Sequence, residues 1–139
     1  MVRWRPRVGA FAAALWWGSL TTIGFIAIPL LFAYLPSAAL AGQTAARLFT
    51  AQTWVTIGCG LLILLASRSP EGPQRMSASM LFVLGGMLLA LLAEFAVAPR
   101  IVARENLRLW HTVGSGMYLL QWICAAVVLW KQSLLSSRA

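Results

Sequence analysis

Of 139 residues, 60% are hydrophobic and 10% charged, and eleven Lys and Arg face three Asp and Glu for a formal net charge of +8. Soluble domains carry about 25% charged residues, so the composition excludes an ordinary water-soluble fold, and the length allows a single domain, 1–139. The basic excess does not indicate nucleic acid, because its residues lie between apolar blocks; beside hydrophobic spans they act as topology signals and attract anionic headgroups.

No charge falls between Arg7 and Arg47, Arg47 and Arg68, Arg75 and Glu94, or Arg108 and Lys131. Each block supplies the ~20 apolar residues that cross a hydrocarbon core. The expected architecture is all-α: an antiparallel bundle of four transmembrane helices at 9–35, 47–66, 77–98 and 110–130, with a short interfacial helix between the third and fourth.

The first block opens like a signal peptide, with Arg3, Arg5 and Arg7 ahead of an apolar run and Ala39-Leu40-Ala41 after it. Signal h-regions run about 7–15 residues, and this run is longer, so a retained first helix is expected, bent at Pro29. Each helix is expected to turn one small or polar face inward, because membrane helices associate through such residues. On the first that face is Ala10, Ala14, Gly18 and Thr22; on the second, Gln52, Thr56, Cys59 and Gly60. Gly86, Ala90 and Glu94 form it on the third, and His111, Ser115, Tyr118 and Gln121 or Trp122 on the fourth. Cys59 and Cys124 belong to no Cys-x-x-Cys pair and are expected in the core. Trp4, Trp16, Trp17, Trp110 and Trp130 suit an aromatic belt. No internal repeat is visible.

Between the third and fourth spans, Pro99 suits a first helical turn. Arg100, Arg104 and Arg108 then recur at four-residue spacing, one stripe of an interfacial helix, serving either as headgroup-snorkelling arginines or as an anion-attracting rim. With both ends on the cytoplasmic side, that side holds Arg3, Arg5, Arg7, Arg68, Arg75, Lys131 and Arg138, seven against the four of Arg47, Arg100, Arg104 and Arg108. The positive-inside rule therefore favours cytoplasmic termini. Ten of the eleven basic residues are Arg in an Ala- and Leu-rich chain, a composition that suggests a high-GC bacterium and hence its inner membrane.

Of the three acids, Glu71 and Glu105 lie in polar segments, whereas Glu94 sits inside the apolar run Met76–Ala98. A carboxylate at bilayer depth costs a few kcal/mol, about 2.5–3.5 at the centre, and marks a functional candidate. Counting inward from the span ends puts Glu94, Ser115 and Gln52 roughly 7 Å below one boundary, with His111 about a turn higher near the arginines. The expected site is therefore a polar layer of Gln52, Glu94, His111 and Ser115, suited either to a proton relay or cation or to a buried structural pair that fixes helix register. It falls short of the three or four ligands a stable zinc or copper site uses.

Four segments taken together resemble one family: Trp17-Gly-Ser-Leu-Thr-Thr-Ile-Gly-Phe with Pro29-Leu-Leu-Phe32, Leu48-Phe-Thr-Ala-Gln-Thr-Trp54, Glu94-Phe-Ala-Val-Ala-Pro-Arg-Ile101, and Leu109-Trp-His-Thr-Val-Gly-Ser115. They resemble the bacterial proteins grouped with transmembrane protein 205, over nearly the whole chain. The resemblance implies a four-helix integral membrane protein and brings no reaction with it. A fainter similarity to copper-resistance D-type membrane domains keeps metal handling in view. The functional expectation is small-solute, proton or metal-ion transport or homeostasis through the Glu94–His111 layer, with a non-catalytic scaffold or accessory role as the alternative. An enzyme is not expected: disulfide–quinone chemistry lacks its Cys-x-x-Cys, and a bis-His haem lacks its second histidine. No cofactor is called for. The expected partners are the lipid bilayer, with anionic headgroups at the Arg clusters, and a second copy of the chain.

Overall fold

Within hydrocarbon, every backbone N–H and C=O must find a partner inside the protein, which leaves helices as the solution for apolar stretches of this length. The computed structural model describes residues 4–68 and 76–137; Arg3, Glu71, Arg75 and Arg138, which enter the charge distribution, lie outside them. Four helices result: α1 (Trp4–Tyr34), α2 (Ala38–Ala66), α3 (Ala78–Val102) and α4 (Leu107–Ser137). All four are long and apolar enough to cross a membrane. No strand occurs among the described residues. They form a ring in which each helix packs on two others, α1 on α2 and α4, and α3 on α2 and α4.

The helices outrun their sequence estimates. α2 begins at Ala38, where Ser37 caps it by accepting a hydrogen bond from the Leu40 N–H at 3.2 Å, and Arg47 rides on its exposed surface. α3 continues past Pro99 to Val102. The separate interfacial helix expected after it is absent: residues 103–106 form a tight turn in which Arg104 (φ 56°) and Asn106 (φ 36°) take left-handed conformations. Such φ values break a helix and reverse the chain.

Pro29 of α1 and Pro99 of α3 act through the same device. A helical proline has no N–H to donate, and its ring collides with the carbonyl four residues earlier. In α1 the turn before Pro29 widens into a π-turn, Ile23–Ala27, and the Ile28 N–H reaches back five residues to the Ile23 carbonyl. In α3 the π-turn Ala93–Val97 precedes Pro99, with the Ala98 N–H bonded to the Ala93 carbonyl. Phe25 and Phe95 hold the same place within the two turns, and every element of the pair is offset by 70 residues (93 − 23, 95 − 25, 99 − 29). The two helical hairpins thus share one local device, a proline-linked π-turn toward the end of the first helix of each, with only Phe and Pro coinciding between the two segments.

The centre of the ring is Trp16, fully buried, with its indole edge against Gly86 of α3. A Cβ at Gly86 would stand 2.5 Å from both Trp16 Cη2 and Cζ2. This overturns two expectations. Trp16 is a core residue rather than part of an interfacial belt, whereas Trp4 and Trp130 are indeed exposed near helix ends. The buried face of α1 is Gly9, Ala12, Ala13, Trp16 and Leu20, while Ala14 and Thr22 are exposed and no atom outside the helix lies within 4 Å of a Cβ at Gly18. The small residue that permits close approach sits on α3, so α1 supplies the large side chain. Cys59 is buried and Cys124 half-buried, both as free thiols, in keeping with core roles.

Gly86→Ala is expected to destabilise the protein by about 1–3 kcal/mol through overpacking against Trp16, read as a lower midpoint of thermal unfolding in detergent. Gly85→Ala, where a Cβ meets nothing within 4 Å, is the control and should leave the midpoint unchanged or raise it.

Candidate functional site

The π-turn of α3 sets the direction of Glu94. Inserting one residue into a helical turn rotates the downstream part of the helix by about 100°, and Glu94 lies within that turn, half-buried beside α2. Its Oε1 accepts a hydrogen bond from the Thr50 hydroxyl of α2 at 2.8 Å. Among the described residues this is the side chain's one hydrogen-bond partner. Eight residues separate Glu94 from the end of α3 at Val102, about 12 Å of rise, so the carboxylate lies deeper than the sequence estimate.

Gln52, 2% exposed, sits two residues further along α2 and serves a different cluster. Its Nε2 donates to Ser19 Oγ of α1 at 3.0 Å and to Thr56 Oγ1 at 3.4 Å. Ser19 in turn donates to the Trp16 carbonyl at 3.0 Å, and Thr56 donates to Gln121 Oε1 of α4 at 3.0 Å. With both hydroxyl protons committed, the amide can only donate to these oxygens, and Gln52 Oε1 is left buried without a partner. The chain Trp16–Ser19–Gln52–Thr56–Gln121 thus ties α1, α2 and α4 across the interior. Each such interhelical bond contributes about 0.6–2 kcal/mol.

The expected four-residue layer does not assemble. His111 and Ser115 are both exposed. The buried positions of α4 are Gln121, Ala125, Val128 and Gln132, continued outward by the half-buried Gly114 and Tyr118. At about 100° per residue, His111 and Ser115 point roughly 60° and 100° away from the centre of that stripe. Tyr118 and Gln121 do face inward, as the sequence suggested. On the other faces, Gly86, Ala90, Thr56, Cys59 and Gly60 are buried where they were expected.

Tyr118 answers the second π-turn. Its ring covers Gly24, where a Cβ would stand 2.5 Å from Cε1, and its hydroxyl donates to the Leu20 carbonyl at 2.7 Å. Gly24 and Glu94 are equivalent under the 70-residue offset. One π-turn is therefore plugged by an aromatic ring from α4, and the other carries a carboxylate that meets a hydroxyl from α2. Thr50 was missed because α2 was expected to begin at 47, which would leave Thr50 at the interface; the helix begins at Ala38 and carries it to depth.

Arg100, Arg104 and Arg108 do not form one stripe. They occupy the last turn of α3, the reversing turn and the first turn of α4, all exposed. Arg100 donates to the Ala96 carbonyl at 2.9 Å and lies 4.5 Å from the Trp110 ring centroid, a cation–π arrangement. No three His, Cys, Asp or Glu side chains converge among the described residues.

Four membrane-crossing helices around a buried polar chain, with a carboxylate inside one span, define a small multi-pass membrane protein. The chain belongs to the family described as Domain of unknown function (DUF4149), whose model matches residues 11–109, from α1 into the first turn of α4. No curated protein and no solved structure matches it.

A double-mutant cycle with Thr50→Val and Glu94→Leu is expected to give a coupling of about 0.6–2 kcal/mol by chemical or thermal unfolding in detergent. Additive effects would remove the Thr50–Glu94 bond as a determinant. His111→Ala should change stability by no more than about 0.5 kcal/mol, as for other exposed positions.

Proposed function

We propose that this protein is a small transport or ion-homeostasis protein in which Glu94 is the exchangeable carboxylate for a proton or a cation. The single observation that supports the reading is the setting of Glu94: an acid within a span, on a π-turn, with a neutral hydroxyl as its partner. Ionisable groups at membrane depth mark ion pathways and proton relays, and π-turns recur at functional sites. A carboxylate held by Thr50 alone keeps its second oxygen for a proton or a metal ion in transit. Among the described residues it has no fixed counter-ion to bind it permanently. The donor set favours transient over resident metal.

In this reading the protein is not an enzyme and carries no cofactor. It sits in a bacterial cytoplasmic membrane with both termini inside, as the distribution of arginines favours, and it shares its ancestry with the transmembrane-protein-205 group. The competing reading, a scaffold or accessory protein, draws on the outward ribbon Ala10–Ala14–Gly18–Thr22 of α1. Small residues at this spacing let a second helix approach closely, whether from a second copy or from a partner.

Glu94→Gln keeps an oxygen for the Thr50 hydroxyl and removes the exchangeable proton, so it separates ion handling from packing. In proteoliposomes loaded with a pH or metal indicator, the wild type should show gradient-driven proton or cation flux, and the variant should fall to the level of empty vesicles. Its unfolding midpoint should stay close to that of the wild type. Flux that survives the substitution intact, or a wild type with none, sinks the proposal and leaves the scaffold reading.

A further inference from the structure

At the end of the bundle away from Glu94, where α1 and α3 begin and α2 and α4 end, all four helices contribute to a cavity of about 370 Å³. That is within the roughly 300–1,000 Å³ of small-ligand sites. Its polar lining comes from Arg5 of α1, Ser67 just past α2, Ser77 and Ser79 at the start of α3, and Gln132 of α4.

The donors and acceptors here are unequal. Gln132 is 4% exposed, yet its amide has no hydrogen-bond partner among the described residues; Gly9 makes room for it, since a Cβ there would stand 2.9 Å from Gln132 Oε1. Ser79 Oγ is likewise buried without a partner. Ser77 Oγ accepts from the Met80 N–H at 3.3 Å, which leaves its own proton to donate. The first N–H groups of α3 have no intrahelical acceptor, and the positive end of the helix dipole points the same way. Arg5 is anchored by donating to the Arg68 carbonyl at 2.8 Å, and its remaining N–H groups have no partner among the described residues. Ser67 spends its proton on the Ile63 carbonyl at 2.8 Å. No acid lines the cavity among the described residues. Among the described residues the lining is thus a convergence of donors around one fixed positive charge, with the Gln132 amide and the buried Ser79 hydroxyl still without partners.

We propose that this cavity binds a phosphate oxyanion, held by Arg5, Ser79, Gln132 and the N-terminus of α3. Phosphate offers several strong acceptors at tetrahedral angles, which suits donors arriving from three helices. Its position at the helix ends places it at headgroup level, so a phospholipid headgroup and free inorganic phosphate are the two sources of the same chemistry. The site is independent of the role assigned to Glu94.

The test uses the full chain in maltoside detergent micelles, which carry no phosphate, with phosphatidylglycerol added in one arm and inorganic phosphate titrated in the other. Native mass spectrometry counts bound lipid, and the unfolding midpoint reads occupancy. Binding in the phosphatidylglycerol arm alone identifies a lipid site; a saturable phosphate response without anionic lipid identifies the free ion. In the responding arm, Arg5→Gln and Gln132→Met should each weaken binding roughly tenfold, the scale of a lost hydrogen bond to a charged group. Arg47→Gln, which removes an equal charge from the opposite half of the bundle, should not. The proposal is overturned if neither arm responds, if Arg5→Gln weakens binding no more than Arg47→Gln, or if Gln132→Met binds as the wild type does. Gln132→Met keeps every charge, so it also decides the case should Arg5→Gln alter insertion.

Discussion

Everything in this fold answers to the need to bond each backbone polar group inside a medium that offers no water. Helices meet that need residue by residue, and proline is where they fail. Pro29 and Pro99 each remove a donor within a span, and each is accommodated by a π-turn just before it, with a five-residue bond in place of the four-residue one. A kink of this kind does more than rescue the ladder. By rotating the helix face, it brings Gly24 under Tyr118 in one hairpin and Glu94 beside Thr50 in the other.

The two hairpins share this device and then diverge in what fills it. On the α1 side the absent side chain of Gly24 admits an aromatic ring, whose hydroxyl also takes up the Leu20 carbonyl. On the α3 side the equivalent position carries the one acid described inside a span. The interior between them is held by contacts across both diagonals of the ring: Trp16 on Gly86 between α1 and α3, and Thr56 with Gln121 between α2 and α4. Where polar groups do not fully match, as at Gln52 Oε1 and around the Gln132 cavity, the protein keeps unused hydrogen-bonding capacity. Such groups are costly in a stable core, which is why they draw attention as places where something else binds.

Much of this was legible in the amino-acid order. Spacing of charges gave four spans, and the faces of α2 and α3 were read correctly because Gln52, Thr56, Gly60, Gly86 and Ala90 recur at helical spacing on helices with no competing large residue. The reading of α1 failed for a physical reason. Small residues favour contact only when the partner presents bulk, and here the bulk is Trp16 and the notch is Gly86 on the partner. His111 and Ser115 failed for another: matching depth is not matching direction, and α4 turns its Gly114–Tyr118–Gln121 stripe inward instead.

Composition and periodicity therefore determined that this chain crosses a membrane four times, as helices, with one anomalous carboxylate in the third, because those features arise from transfer energies and backbone bonding that act on each segment alone. Which face of α1 is buried, where α2 begins, that Glu94 meets Thr50 rather than His111, and that the four helix ends line a donor-rich, open cavity were decided only in the assembled bundle. Those outcomes depend on rotation about helix axes and on π-turns of a single extra residue, and a rotation of that size leaves no trace in hydropathy.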